Sequence, residues 1–165
     1  MKDLQTMGTE IAIDKKPANF YVMLGPEYGI KQFYMELLSQ IYSGRVVEAD
    51  SCQSILDLMN KKHLIPLQPT LYIVRYDADF VSHLSNTSAR EIAKTNIVGT
   101  IVCLYEDDKV QSKFDKYLPN DSIYIPYLSK ENCVNHLSKT YKKLPITKPR
   151  ILVQKCFHGI CQNLI

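Results

Sequence analysis

Apolar residues fall along this chain in five short runs of strand length, separated by stretches in which they recur every three or four positions. Continuous apolar runs suit buried strands and a period near 3.6 suits amphipathic helices, so the alternation predicts an α/β sheet rather than a sandwich or a bundle. The predicted strands are Phe20–Leu24, Arg45–Glu48, Thr70–Tyr76, Gly99–Tyr105 and Ser122–Ile125. LYIVRY and TIVCLY, in the third and fourth, are almost unbroken, which places both mid-sheet with each face covered.

Helices are predicted between the strands. Gly29–Tyr42 sets Ile30, Phe33, Leu37, Leu38 and Ile41 on one stripe, and Asp50–Lys62 opens on an Asp or Ser cap with Ile55, Leu58 and Met59 inward. Ser88–Lys94 is a shorter segment, Val110–Tyr117 follows the fourth strand, and Lys130–Tyr141 follows Ser129 with Val134 and Leu137 inward. Leu144–Arg150 holds Pro145 and Pro149 and reads as a linker, and Ile151–Ile165 is amphipathic. The expected organisation is an extension over residues 1–16 with no predicted element, a candidate for disorder; an α/β domain over 17–143; and a linker with one further helix over 144–165. The apolar ending predicts a truncated chain or a tail that needs a partner.

At 165 residues there is material for one well-buried core and an appendage. No apolar run approaches a membrane span, and MKDLQTMGTEIAIDKK lacks the apolar centre of a secretory signal, so the expectation is a cytoplasmic protein without membrane contact. Cys52, Cys103, Cys133, Cys156 and Cys161 stand in apolar contexts with no C-x-x-C pair and no histidine at ligand spacing, which predicts buried thiols and no metal. The net charge of +3 is unevenly divided: residues 1–125 carry 13 basic and 16 acidic side chains, whereas 126–165 carry seven basic ones against Glu131 alone. Such a segment is a solvated linker and helix face, or a surface for weak contact with DNA or an acidic partner.

Candidate chemistry begins at FYVMLGPEYGIKQ, where a strand runs into a glycine turn and a lysine. A phosphate loop of the form G-x-x-x-x-G-K-[ST] cradles phosphates on backbone N–H groups, reaches them with lysine and holds magnesium on a hydroxyl. Here Gly25 and Gly29 are one residue too close, Ile30 precedes Lys31, and Gln32 replaces the hydroxyl. Downstream, Asp77 and Asp79 in TLYIVRYDAD only partly match the acidic pair that would hold the metal, and GTIVCLYEDD offers Tyr105 and Glu106 where a small polar residue would sense the γ-phosphate. Glu27 and Asp77 would repel phosphates. The loop of Gly25, Gly29, Lys31 and Asp77 is therefore read as a degenerate nucleotide site, with no catalytic residue and no cofactor.

Other candidates carry less. His63, His83, His136 and His158 are each isolated from any nucleophile pattern. Glu106, Asp107 and Asp108 cluster at the end of a parallel strand, where a metal or a solvated turn would both fit. The segment KKHLIPLQP is different: Leu64, Ile65 and Leu67 lie in a stretch stiffened by Pro66 and Pro69, and are either a projecting anchor or a staple folded onto the core.

Between Phe20 and about Tyr141 the chain resembles the delta subunit of the bacterial DNA polymerase III clamp loader in its N-terminal part, in a divergent, phage-like form. The likeness lies in FYVMLGPEYGIK, in DSCQSILDLMNKKHLIPLQPTLYIVRYDAD and in TIVCLYEDDKVQSKFDKYLPNDSIYIPYLSKENCVNHL, taken in that order. It implies an AAA+ module: a five-stranded parallel sheet flanked by helices, of P-loop NTPase type, followed by a small helical lid that Ile151–Ile165 would begin. It also implies a subunit that does not hydrolyse ATP, and one that grips the sliding clamp with a hydrophobic pair from the loop before the third strand. Leu64 and Ile65 fall on that pair, with Pro66 and Leu67 beside it; Ile65 replaces the usual Phe. The implied partners are the sliding clamp and the other clamp-loader subunits, in DNA replication. Two alternatives stay open from the residues: a small nucleotide-binding enzyme using Lys31, Asp77 and Asp79, and an interaction protein of the same scaffold that captures a host replication factor.

Overall fold

The structure, a computed structural model, describes residues 1–61 and 66–127. Five strands, β1 (Phe20–Leu24), β2 (Val46–Ala49), β3 (Thr70–Arg75), β4 (Gly99–Leu104) and β5 (Ser122–Tyr124), form one all-parallel sheet in the order β2-β3-β4-β1-β5. Parallel neighbours require crossover connections, and helices supply them. These are α2 (Tyr28–Ile41), α3 (Cys52–Asn60), α4 (Ala78–His83), α5 (Thr87–Arg90), which runs into a 3-10 turn Glu91–Lys94, and α6 (Gln111–Tyr117); α1 (Leu4–Gly8) precedes the sheet. The expected fold class, a five-stranded parallel sheet flanked by helices, is the one adopted.

Alternation along each strand divides the core into two layers. Phe20, Val22 and Leu24 of β1, with Tyr72, Val74, Ile101 and Cys103, face α3, α4 and α6 through Ile55, Phe80 and Phe114. Tyr21 and Met23, with Leu71, Ile73, Val102 and Ile123, face α2 through Ile30, Phe33, Tyr34 and Leu38. The runs that suggested central strands are central: β3 lies between β2 and β4, and β4 between β3 and β1. β2 is one of the two edge strands, and its first three residues are exposed.

The first sixteen residues correct the expectation of a separate extension. Asp3 caps α1 by accepting from Thr6 N at 2.9 Å, and a π-helical turn, Thr9–Ile13, continues it. Met7 and Ile11, one helical turn apart, enter the layer beneath α2. Lys2 N donates to Ser122 O at 2.9 Å, and the Tyr21 hydroxyl donates to Glu10 at 2.7 Å. Leu4 packs against the same layer and Ala12 is buried beside Ile11, so a short apolar stripe binds this stretch to the body. Another element without a predicted counterpart is α4, directly after Asp77. Lys130–Tyr141, the linker and Ile151–Ile165 lie outside the described residues.

Candidate functional site

The degenerate phosphate turn sits at the C-terminal edge of the sheet, between β1 and α2. Gly25 adopts φ +97°, and a Cβ there would overlap the Ile125 carbonyl, so the turn is held open to glycine alone. Glu27 follows and is only 4% exposed. Its carboxylate accepts from Gly29 N at 3.0 Å, capping α2. The positive end of a helix is where a phosphate would bind; here a carboxylate of the chain already occupies it.

Lys31 is turned the same way, inward. Its side chain is 3% exposed, and Nζ donates to the carbonyls of Gly25 and, at 2.9 Å, of Tyr105. Burial draws the Lys31 pKa below the ordinary lysine value, while the carboxylates of Glu106, Glu27 and Asp108 oppose the shift. The ammonium is thus held by two carbonyls, beside a helix terminus whose Gly29 N–H is held by a carboxylate.

Asp77 is likewise consumed by structure. It is 6% exposed and accepts from Phe80 N at 2.8 Å through one oxygen and from Cys52 N at 2.7 Å through the other. One carboxylate thus caps α4 and anchors the first residue of α3. Its carbonyl accepts from the Tyr105 hydroxyl at 3.0 Å. Tyr105, which stands where a phosphate sensor was sought, is buried and pushed far above the usual tyrosine pKa, chiefly by desolvation. Asp79 is exposed in the first turn of α4, and both aspartates border a cleft of about 320 Å³ beside the start of α3. Among the described residues no group of His, Cys, Asp and Glu could hold a metal ion.

Gly29 lies within the first turn of α2, so Gly25, Gly29 and Lys31 meet at the end of β1, whereas the Asp77 carboxylate is turned to α3 and α4 after β3, with Tyr105 bonded to Lys31 and to the Asp77 carbonyl. What sequence reasoning missed was the side on which each polar group would find its partner. Glu27 immediately before a helix was the available signal, since Asp and Glu favour helix N-termini.

Pro66 is exposed and Leu67 half-buried; Leu64 and Ile65, with His63, lie outside the described residues. His83 is exposed, with Nδ1 2.8 Å from the Asp79 carbonyl. His136 and His158, and Cys133, Cys156 and Cys161, are outside the described residues. Cys52 and Cys103 are buried free thiols with Sγ atoms 3.3 Å apart. Burial and this neighbour raise the Cys103 pKa well above the usual thiol value. Glu106 and Asp107 border a cleft of about 620 Å³, while Asp107 also accepts from Lys109 N at 2.8 Å to start the short 3-10 turn Asp108–Val110.

Neither a protein-family model nor a curated protein sequence matches the chain. Among solved structures, the chain is similar to the ORC2 protein of Aeropyrum pernix, solved as ADPNP-ADP complexes, at 11% identity and a TM-score of 0.43. The match covers 88% of this chain and 53% of that one, so the chain spans about half the length of that protein. A likeness at this level assigns neither a family nor an activity. No helix among the described residues is long and apolar enough to cross a membrane.

Proposed function

We propose that this chain is a non-hydrolysing, clamp-loader delta-like subunit on an AAA+-like scaffold: it docks on a DNA polymerase sliding clamp through the 61–69 loop and helps to open it. The observation that carries the non-catalytic half is the internal use of Lys31, whose ammonium is held by the carbonyls of Gly25 and Tyr105. A scaffold whose phosphate turn is tied shut acts by presenting surface.

The resemblance supplies the surface. Leu64 and Ile65 would insert into a clamp pocket, with Pro66 stiffening the loop and Leu67 at its base. Each aliphatic side chain so buried contributes roughly 1.5–3 kcal/mol, enough for a hot spot in a small interface. The loop joins α3 to β3, and α3 is fixed at its start by Asp77, so the body behind it is rigid. Docking opens the clamp only if the subunit binds the open form more tightly than the closed one. In this reading the other clamp-loader subunits supply ATP hydrolysis, and the protein works in the cytoplasm.

The test is capture of a bacterial sliding clamp by the full chain and by a Leu64→Ala/Ile65→Ala variant of unchanged unfolding midpoint. The reading expects capture by the first and none by the second. Equal capture by both removes the loop from the mechanism.

A further inference from the structure

We propose that the cleft between α2 and the open half of the sheet is a docking groove for residues 151–165 of this same chain. On this face Leu71 and Ile73 of β3 are buried in the layer with α2, while the edge strand β2 beyond them is left exposed over its first three residues. The result is a cleft of about 620 Å³ whose floor is Leu71, Ile73, Leu104 and Met35, with Val46 at the edge. Tyr28 and Tyr76 stand at its rim, and Tyr76 is 56% exposed. Its φ of +55° is a backbone conformation that costs an ordinary residue free energy, and here it accompanies an aromatic side chain left largely in solvent.

Charge selects the occupant. The cleft is bordered by Glu36, Glu48, Glu106 and Asp107. Glu48 pairs with Arg75 at 3.1 Å, whereas Glu36, Glu106 and Asp107 take part in no ion pair among the described residues. Among the described residues of the lining the other cation, Lys31, is held by carbonyls. From residue 132 to 165 the chain has no acidic side chain, and Lys148, Arg150 and Lys155 lie at or just before the apolar segment. In that segment Val153, Cys156, Phe157, Ile160 and Leu164 recur at the spacing with which an amphipathic helix lays its apolar face into a groove.

Reach favours the same chain over a second copy. β5, which precedes the segment, is three strands from β3, roughly 14 Å at the usual strand spacing. With Lys130–Tyr141 helical, as the sequence predicts, and the other 11 residues extended, the stretch from 128 to 150 could span about 54 Å. A tether of that kind holds its end at an effective concentration in the millimolar range, so modest affinity suffices.

Cys156 and Cys161 provide the test. In the full chain, Ser39→Cys places a thiol on the α2 wall of the cleft, and Lys113→Cys places one on α6, on the other side of the sheet. With a short bismaleimide linker, the Ser39→Cys protein is expected to form an intramolecular crosslink to Cys156 or Cys161 several-fold faster than the Lys113→Cys protein. The rate should be independent of protein concentration and fall when Glu36→Lys and Glu106→Lys are added. Equal rates for the two positions overturn the proposal. So does a product that is intermolecular and grows with concentration, which would assign the cleft to a second copy. Should Ser39→Cys shift the unfolding midpoint, Gln32→Cys on the same wall replaces it with the same expectations.

Discussion

Lys31 Nζ donates to the backbone carbonyl of Tyr105 at 2.9 Å, joining the first turn of α2 to the residue that follows β4. With the second bond to Gly25, the contact converts what would be a ligand-binding cation into a cross-brace. Replacing it with Met leaves two carbonyls without a donor. Lys31→Met is expected to lower the unfolding free energy by about 1–3 kcal/mol in urea. ATP with magnesium, at concentrations that would saturate a nucleotide site, should shift the midpoint of neither protein.

The same lysine has a pH signature. Its folded pKa lies below 10.5, so the folded state binds fewer protons than the unfolded chain between the two values. The Lys31 contribution is therefore fullest above the unfolded value and is lost as pH falls through the folded one. Stability measured on the way up toward pH 10.5 should rise more in the wild type than in Lys31→Met; parallel curves would contradict this.

Above that range the tyrosines take over with the opposite sign. Burial pushes Tyr21 and Tyr105 far above 10, with the Glu10 carboxylate adding to the effect at Tyr21 and nearby Cys103, Cys52 and Asp77 at Tyr105. Their contribution is present below pH 10 and falls once the unfolded chain can ionise them. Tyrosinate absorbance in the alkaline limb should show a late step coincident with the loss of helical circular dichroism. Tyr105→Phe, which frees only the Asp77 carbonyl from its hydroxyl partner, should reduce that step.

Asp77 is expected to behave as a double cap. Asp77→Ala should cost about 2 kcal/mol, near the sum of two helix caps. Asp77→Asn should recover only part, because an amide offers one accepting oxygen to two N–H donors. Magnesium should leave the wild-type midpoint in place, where a metal-holding carboxylate pair would raise it.

Gly25→Ala offers a check on the turn itself. The positive φ and the overlap of a new Cβ with the Ile125 carbonyl predict a loss on the order of 1–3 kcal/mol, seen in the unfolding midpoint. A neutral result would mean that the turn between β1 and α2 can relax.

Strands were legible wherever a run was buried on both faces: β1, β3 and β4 begin at the residues their apolar runs predict. The helix after β1 was legible from Ile30, Phe33 and Leu38, which all reach the core. α4 was not, because six residues, of which only Phe80 and Val81 are buried, do not establish a period, and its start depends on an aspartate that looked like chemistry. For the site, the missing ligands were visible as letters at positions 30 and 32. That Lys31 and Glu27 would turn inward was not, since sequence shows which charges are present and only packing shows which carbonyls and N–H groups lie within reach.

The central claim joins a closed phosphate turn to a clamp-docking loop, and binding of the full chain to an immobilised bacterial sliding clamp, with and without ATP and magnesium, tests both at once. The expected result is binding of equal affinity in the two conditions, lost in Leu64→Ala/Ile65→Ala. No binding by the wild type, or binding that requires ATP and disappears in Lys31→Ala, would contradict the account.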